Sequence, residues 1–333
     1  MQKLLLGLLI LVGGGAITLI LFFLWASSGQ YPADRYAHQV SIDEYPLKPA
    51  TDEITLVCYN IGYLSGLTNN QAVERTRQLY DDNLATAIAA LQAVNPDLVA
   101  LQEVDLGSKR SFNVDQVAAI GSALEYSQQA IAINWDKRYV PFPFWPPAAH
   151  FGSILSGQAL LSRFPIKRHE RFVLEKVASN PFFYNALYLE RLAQVVDITV
   201  GDRRLTLINI HLEAFDNPTR LNQTLFVRQL AETAAQQGPV LLIGDFNSAL
   251  NRPEEGEPRT IQTMVDSEAL VSAIPADQFT QAENFTFPAD TPQYKLDYVF
   301  YTPDTIELLD VQVLTAAAQA SDHLPLVLRL RLR

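Results

Sequence analysis

The run Pro239-Val240-Leu241-Leu242-Ile243-Gly244-Asp245-Phe246-Asn247 reads as a buried strand that finishes in a carboxylate and an amide two positions apart. Alternate residues of an extended chain share one face, so Asp245 and Asn247 can enter the same pocket. Five further segments follow the same plan. Ile54–Tyr59 leads to Asn60, Leu98–Leu101 leads to Gln102-Glu103, and Leu205–Ile210 leads to His211. Lys295–Phe300 carries Asp297 near its start, and Ser321-Asp322-His323 stands just before Leu324–Leu328. Apolar β-formers have no packing reason to close on charge. Strand ends are where layered α/β sheets carry their sites, so the six segments together imply one convergent polar pocket.

The chain has 333 residues, of which 48% are hydrophobic, enough for an anchor and one large domain. A net charge of −11 gives no general attraction for phosphate backbones, although bound cations can supply local positive charge to a nuclease. The one cysteine, Cys58, excludes an intrachain disulfide and a thiolate zinc cluster. In the middle of an apolar strand it reads as a small buried hydrophobe.

From Leu4 to Ala26 there is no charge, a stretch long enough to cross ~30 Å of hydrocarbon. A cleaved signal peptide has a shorter apolar core, usually of ~7–15 residues. Residues 1–28 are therefore expected to be an uncleaved single-pass membrane anchor. Lys3 on one side puts the body on the extracytoplasmic side. Residues 29–50, with Pro32, Pro46 and Pro49 and no sustained period, read as a linker. The domain is expected over 51–333. Within it, Leu84, Ala87, Ile88 and Leu91 have helical spacing and stop at Asn95-Pro96. A second strand–helix–strand plan runs through 205–243, with its helix around 219–236. Two sheets packed face to face with helices outside fit this order, and the closing Leu-Arg-Leu-Arg alternation reads as an antiparallel strand.

Asn60, Gln102-Glu103, Asn209-Ile210-His211, Gly244-Asp245-Phe246-Asn247, Leu296-Asp297-Tyr298 and Ser321-Asp322-His323 resemble the ordered motif set of the endonuclease/exonuclease/phosphatase superfamily. Its members include pancreatic-type deoxyribonucleases, abasic-site endonucleases, neutral sphingomyelinases and inositol polyphosphate 5-phosphatases. Gly157-Gln158-Ala159-Leu160-Leu161-Ser162 resembles a stretch seen midway in many of them. The similarity covers residues 51–333 and implies a four-layer α/β sandwich with metal-dependent cleavage of phosphate esters.

The residues carry their own chemistry. Asn60, Glu103 and Asp322 are hard oxygen donors, suited to Mg²⁺ or Mn²⁺. His323 with Asp297 would form an oriented imidazole. His211 would donate to a phosphate oxygen, and Asp245 with Asn247 would activate and position water. Whether Asp245 or His323 takes the proton stays open. Arg191, Arg163 and Gln158 read as structural.

The expected activity is Mg²⁺-dependent phosphodiester hydrolysis on a lipid such as sphingomyelin, or alternatively on nucleic acid. A non-catalytic phosphate-binding module would be expected to have lost some of these acids and histidines. No feature demands a protein partner. Tyr139–Phe151, dense in proline and aromatic residues, is either a loop folded onto the core or an aromatic lip at a bilayer or cleft.

Overall fold

Two strand–helix–strand crossovers set the architecture, one in each of two packed sheets. The structure, a computed structural model, describes residues 2–256 and 259–333. Its strands are β1 (Ala37–Ser41), β2 (Ile54–Asn60), β3 (Leu98–Asp105), β4 (Gln128–Val140), β5 (Gly152–Ser162), β6 (Ile166–Val173) and β7 (Leu192–Val200). They continue as β8 (Arg203–His211), β9 (Val240–Asp245), β10 (Val271–Ser272), β11 (Asp297–Tyr301), β12 (Ile306–Val313) and β13 (Leu326–Leu332). The helices are α1 (Gln2–Ser27), α2 (Arg77–Val94), α3 (Gln116–Ala123), α4 (Phe182–Leu187), α5 (Asn217–Ala235) and α6 (Thr260–Val265).

One sheet has the order β1-β4-β5-β3-β2-β13-β12, the other β10-β11-β9-β8-β7-β6. Strand alternation sorts the core. Leu56 and Cys58 face the other sheet, among Leu207 and Leu241. Val57 and Tyr59 face outward onto Leu91 of α2 and Ile120 of α3. On the outer face of the second sheet, α5 and α6 contribute Val227 and Met264. The result is the expected four-layer sandwich.

Each crossover helix is bounded by local chemistry. The Thr76 side chain accepts from the N–H of Leu79 to start α2, and Asn95 takes a left-handed conformation at its end, before Pro96. Asp216 accepts from the N–H of Thr219 to start α5. Because β2/β3 and β8/β9 are parallel, their polar ends lie side by side: Asn60 against Gln102, and His211 against Asp245. Antiparallel β11 brings its first residue, Asp297, beside Asp245. Antiparallel β13 begins beside the end of β2, which carries Asp322-His323 to the same edge. Between the sheets, Gln102 Nε2 donates to Asn209 Oδ1 at 2.6 Å and Asn209 Nδ2 donates to Gln194 Oε1 at 3.0 Å. This buried amide chain holds the two sheets in register beneath the site.

Gly244 permits the close approach of β9 to β8. Its φ is +140°, and a Cβ there would lie 1.9 Å from the carbonyl oxygen of Ile210. Gly244→Ala is expected to cost about 3 kcal/mol, read as a fall in the thermal midpoint; an unchanged midpoint would contradict this packing.

The segment expected as a linker departs from that reading over part of its length. Ala37–Ser41 pairs with β4 from Ala132 to Gln128 and forms the sheet edge. Five residues that alternate between exposed and half-buried faces give little periodic signal; pairing with β4 decides their conformation. Upstream, the N–H groups of Gln30 and Tyr31 donate to the Asp136 carboxylate at 2.9 and 2.8 Å.

Candidate active site

The strand ends converge on a cavity of about 550 Å³ whose floor includes Glu103, His211, Asp245, Asn247, Asp322 and His323. Asp245, 1% exposed, is its hub. One oxygen accepts from the N–H of Asn247 at 2.8 Å, and the other accepts from Asn60 Nδ2 at 3.0 Å. His211 Nε2 and His323 Nε2 stand 3.5 and 3.8 Å from that second oxygen. Burial, reinforced by the Asp297 charge, pushes the Asp245 carboxyl up to about 6.

Asp297 Oδ2 lies 2.9 Å from His323 Nδ1, so the pair forms the expected oriented imidazole. Burial opposes the charged ring, but Asp297 and Asp245 together outweigh it and hold the His323 pKa well above that of a free imidazole. Asp245, Asp297 and His323 also bring three potential metal-ligand atoms within 4.8 Å of one another. Since His323 Nδ1 is engaged with Asp297, a cation bound through that nitrogen would break the dyad. The Nε2 atom is left facing the cavity, where the group can serve as an acid–base set.

Glu103 and Asp322 converge at one point. Asn69 Nδ2 lies 3.0 Å from Glu103 Oε2 and 3.2 Å from Asp322 Oδ2. Burial and then the Asp322 charge raise the Glu103 carboxyl to about 7. Two carboxylates held together at this cost offer the oxygen donors that suit a hard divalent cation. Glu103 has φ +51° and sits where β3 loses register with β5, between Leu101 and Val104. The bulge turns its side chain out of the ladder into the cavity.

Asn60, the expected third ligand, already makes two hydrogen bonds: its amide oxygen accepts from the N–H of Gly62 at 3.0 Å, which leaves that oxygen one lone pair, and its nitrogen donates to Asp245. His211 also departs from expectation. Arg191 Nη1 is 2.6 Å from its Nε2, and a guanidinium can only donate. In this contact Nε2 is the acceptor, which leaves the ring proton on Nδ1, a buried atom without a hydrogen-bond partner among the described residues. Burial, then Arg191, hold the His211 pKa well below the usual value, so the ring is neutral.

Arg191, read from sequence as structural, is thus part of the site; it lines the cavity and pairs with Glu213 at 3.5 Å. Nothing beside it in the sequence marks it. Only the register that sets Leu192 opposite His211 brings it there. Asn69 lies in the turn after β2, where nothing in the sequence marks it as facing two carboxylates. Arg163 and Gln158 are structural as expected, bonded to Asn95 Oδ1 and to the carbonyl of Asn209.

A model of the Endonuclease/Exonuclease/phosphatase family matches residues 58–323. A UPF0294 protein of Vibrio cholerae serotype O1 is 30% identical over 130 residues, covering 39% of this chain and 41% of that protein. The match thus spans about two fifths of that relative. An endonuclease/exonuclease/phosphatase from Beutenbergia cavernae superposes with a TM-score of 0.60 at 20% identity, covering 85% of this chain and 72% of that one. The human nocturnin catalytic domain, solved with bound sulfate, gives 0.59 at 18% identity over 91% of this chain and 100% of that one. TDP2 from C. elegans gives 0.54 at 18% identity, covering 84% and 75%. At these identities the likeness is one of fold.

Proposed function

The chain belongs to the Endonuclease/Exonuclease/phosphatase family, and from that premise we propose that it is a divalent-metal-dependent hydrolase that cleaves a phosphodiester by attack of water. The observation that carries this reading is a carboxylate couple, Glu103 with Asp322, on the same cavity floor as Asp245 and His323, with Asp297 buried behind the His323 ring. Glu103 and Asp322 would hold Mg²⁺ or Mn²⁺, with the remaining lone pair of the Asn60 amide oxygen as a third donor. Bound there, the ion would neutralise charge on a phosphate oxygen and on the leaving group.

The chain's own residues supply the rest. Asp245 and His323, 3.8 Å apart, act on one water. As its oxygen bonds to phosphorus and the ester bond breaks, its proton passes to this pair, which shares it as a coupled unit. Asp297 keeps the His323 ring oriented and stabilises its charged form. Asn247 and Asn60 hold the Asp245 carboxylate in place. With His211 neutral and accepting, the phosphate-binding donor is Arg191, and His211 orients the guanidinium. The net charge of −11 favours a small or lipid diester over a long nucleic acid. The apolar α1, outside the catalytic layers and long enough to cross a membrane, supports a membrane-attached enzyme, and Lys3 at its start favours an extracytoplasmic body.

With bis(p-nitrophenyl) phosphate, the full chain in detergent should turn over in Mg²⁺ or Mn²⁺ and stop in EDTA. Asp297→Asn and His323→Gln should each lower kcat by roughly 10²–10³-fold, and the double variant should lose little more than either alone. Multiplying losses, or turnover that survives EDTA, would overturn the reading.

A further inference from the structure

The membrane helix is fastened to the catalytic body beside the mouth of the cavity. Its last turn does not lead into a free tether. Lys137 Nζ donates to the carbonyl of Ser27 at 3.0 Å, and the N–H of Arg138 donates to that of Ser28 at 3.0 Å. Ala26 is buried against the body. These contacts fix which side of the domain faces the bilayer.

That side is aromatic. The Phe182 ring packs edge-on to Phe23 of α1 at 6.0 Å, and Tyr139 packs on Phe22 at 5.9 Å. If α1 spans the hydrocarbon, whatever touches Phe22 and Phe23 lies at their depth, within ~6 Å of the apolar boundary at 1.5 Å per helical residue. Phe182 opens α4, a helix with no buried residue, and the next two residues, Phe183 and Tyr184, line the cavity. One short aromatic helix thus joins the membrane anchor to the cavity wall. Phe144 and Phe215 line the same cavity, and Trp145 follows Phe144 in its loop. Trp145 is 77% exposed, Phe182 78% and Phe215 78%, large apolar side chains left mostly open to solvent. Lys137 and Arg138, at the end of α1, stand where lipid headgroup phosphates would lie.

We propose that this rim is seated in the lipid bilayer, so that the cavity opens at the level of the acyl chains. Its substrate is then a phosphodiester lipid taken from the membrane, with the headgroup phosphate on the polar floor and an acyl chain along the aromatic wall. The identity of the substrate rests on the hydrolase reading above, whereas the seating does not.

Two measurements separate them. Cys58 is fully buried, so Trp145→Cys offers one accessible thiol for a polarity-sensitive dye. In the full chain reconstituted into phosphatidylglycerol vesicles, lipids brominated on the acyl chains should quench this dye. They should leave a dye at Asp310→Cys, on the opposite sheet edge, unquenched. Equal dye responses at the two positions overturn the seating.

The second measurement compares Trp145→Ser/Phe182→Ser with wild type on sphingomyelin and phosphatidylglycerol in vesicles, and on bis(p-nitrophenyl) phosphate. Neither residue lines the cavity. The double variant should lose at least tenfold on the vesicle lipids and stay within twofold on the soluble diester. Equal effects on both substrates, or a wild type that cleaves the soluble diester and no vesicle lipid, overturn the lipid assignment. A wild type silent on every substrate overturns the hydrolase reading and leaves the dye result to decide the seating.

Discussion

Asp245→Asn is expected to lower kcat for phosphodiester hydrolysis by roughly 10³-fold, within the range for removal of a positioned acid or base. At neutral pH the Asp245 carboxyl, held up to about 6, is mostly ionised and able to take a proton from water. An amide of the same shape cannot. The substitution also turns one oxygen into an N–H₂ group facing a donor, since Asn60 Nδ2 approaches one oxygen and the N–H of Asn247 the other. Asn60 cannot simply flip its amide, because its own oxygen holds the N–H of Gly62. A stability loss of about 1–3 kcal/mol should accompany the kinetic one. Melting curves and pre-steady-state rates on the same preparation separate the two. A variant that melts lower but turns over at the wild-type rate would make Asp245 a strut and leave His323 as the sole base.

The parts of this site that were legible in the sequence are those dictated by strand chemistry. An apolar run ending in Asp245 or His211 announces both a buried strand and the side chain at its exit. Parallel crossovers then bring such exits together without further instruction. The illegible parts depend on partners distant in sequence. Arg191 enters through strand register, and once there it decides the tautomer of His211, which no reading of the Asn209-Ile210-His211 motif can supply. Asn60 illustrates a different limit, because an Asn followed by a Gly two positions later fits a metal ligand and a turn cap equally well. Only the Asp245 contact shows how its amide nitrogen is used. The aromatic lip was half legible. Phe142 and Phe151 pack edge to face at 5.3 Å, as a loop folded down on the core would. Phe144 and Trp145 stand out from the surface, and only the fold brings Phe144 to one cavity with Phe183 of α4.

Glu103→Gln should abolish metal-dependent turnover while making the metal-free protein more stable at neutral pH. The folded-state pKa of Glu103 is raised from 4.5 to about 7, through burial first and then the Asp322 charge. A carboxyl with a raised pKa binds its proton more tightly when folded. Its contribution to stability is therefore complete below pH ~4.5 and is lost as pH climbs through about 7. Without a cation, two facing carboxylates are thus a liability under physiological conditions, and the neutral amide of Asn69 is a poor counterweight. A divalent cation reverses the balance. At roughly a hundred times its Kd it should stabilise the folded state by about 2.7 kcal/mol, a shift of several degrees in the thermal midpoint. Glu103→Gln should therefore show a higher midpoint than wild type in EDTA at pH 8, no difference near pH 4.5, and no response to Mg²⁺ or Mn²⁺. A variant that melts below wild type in EDTA, or still gains several degrees from the metal, would mean that Glu103 braces the β3 bulge and that the cation sits elsewhere. The same carboxylate pair that weakens the empty fold is, on this argument, what gives the cation its place.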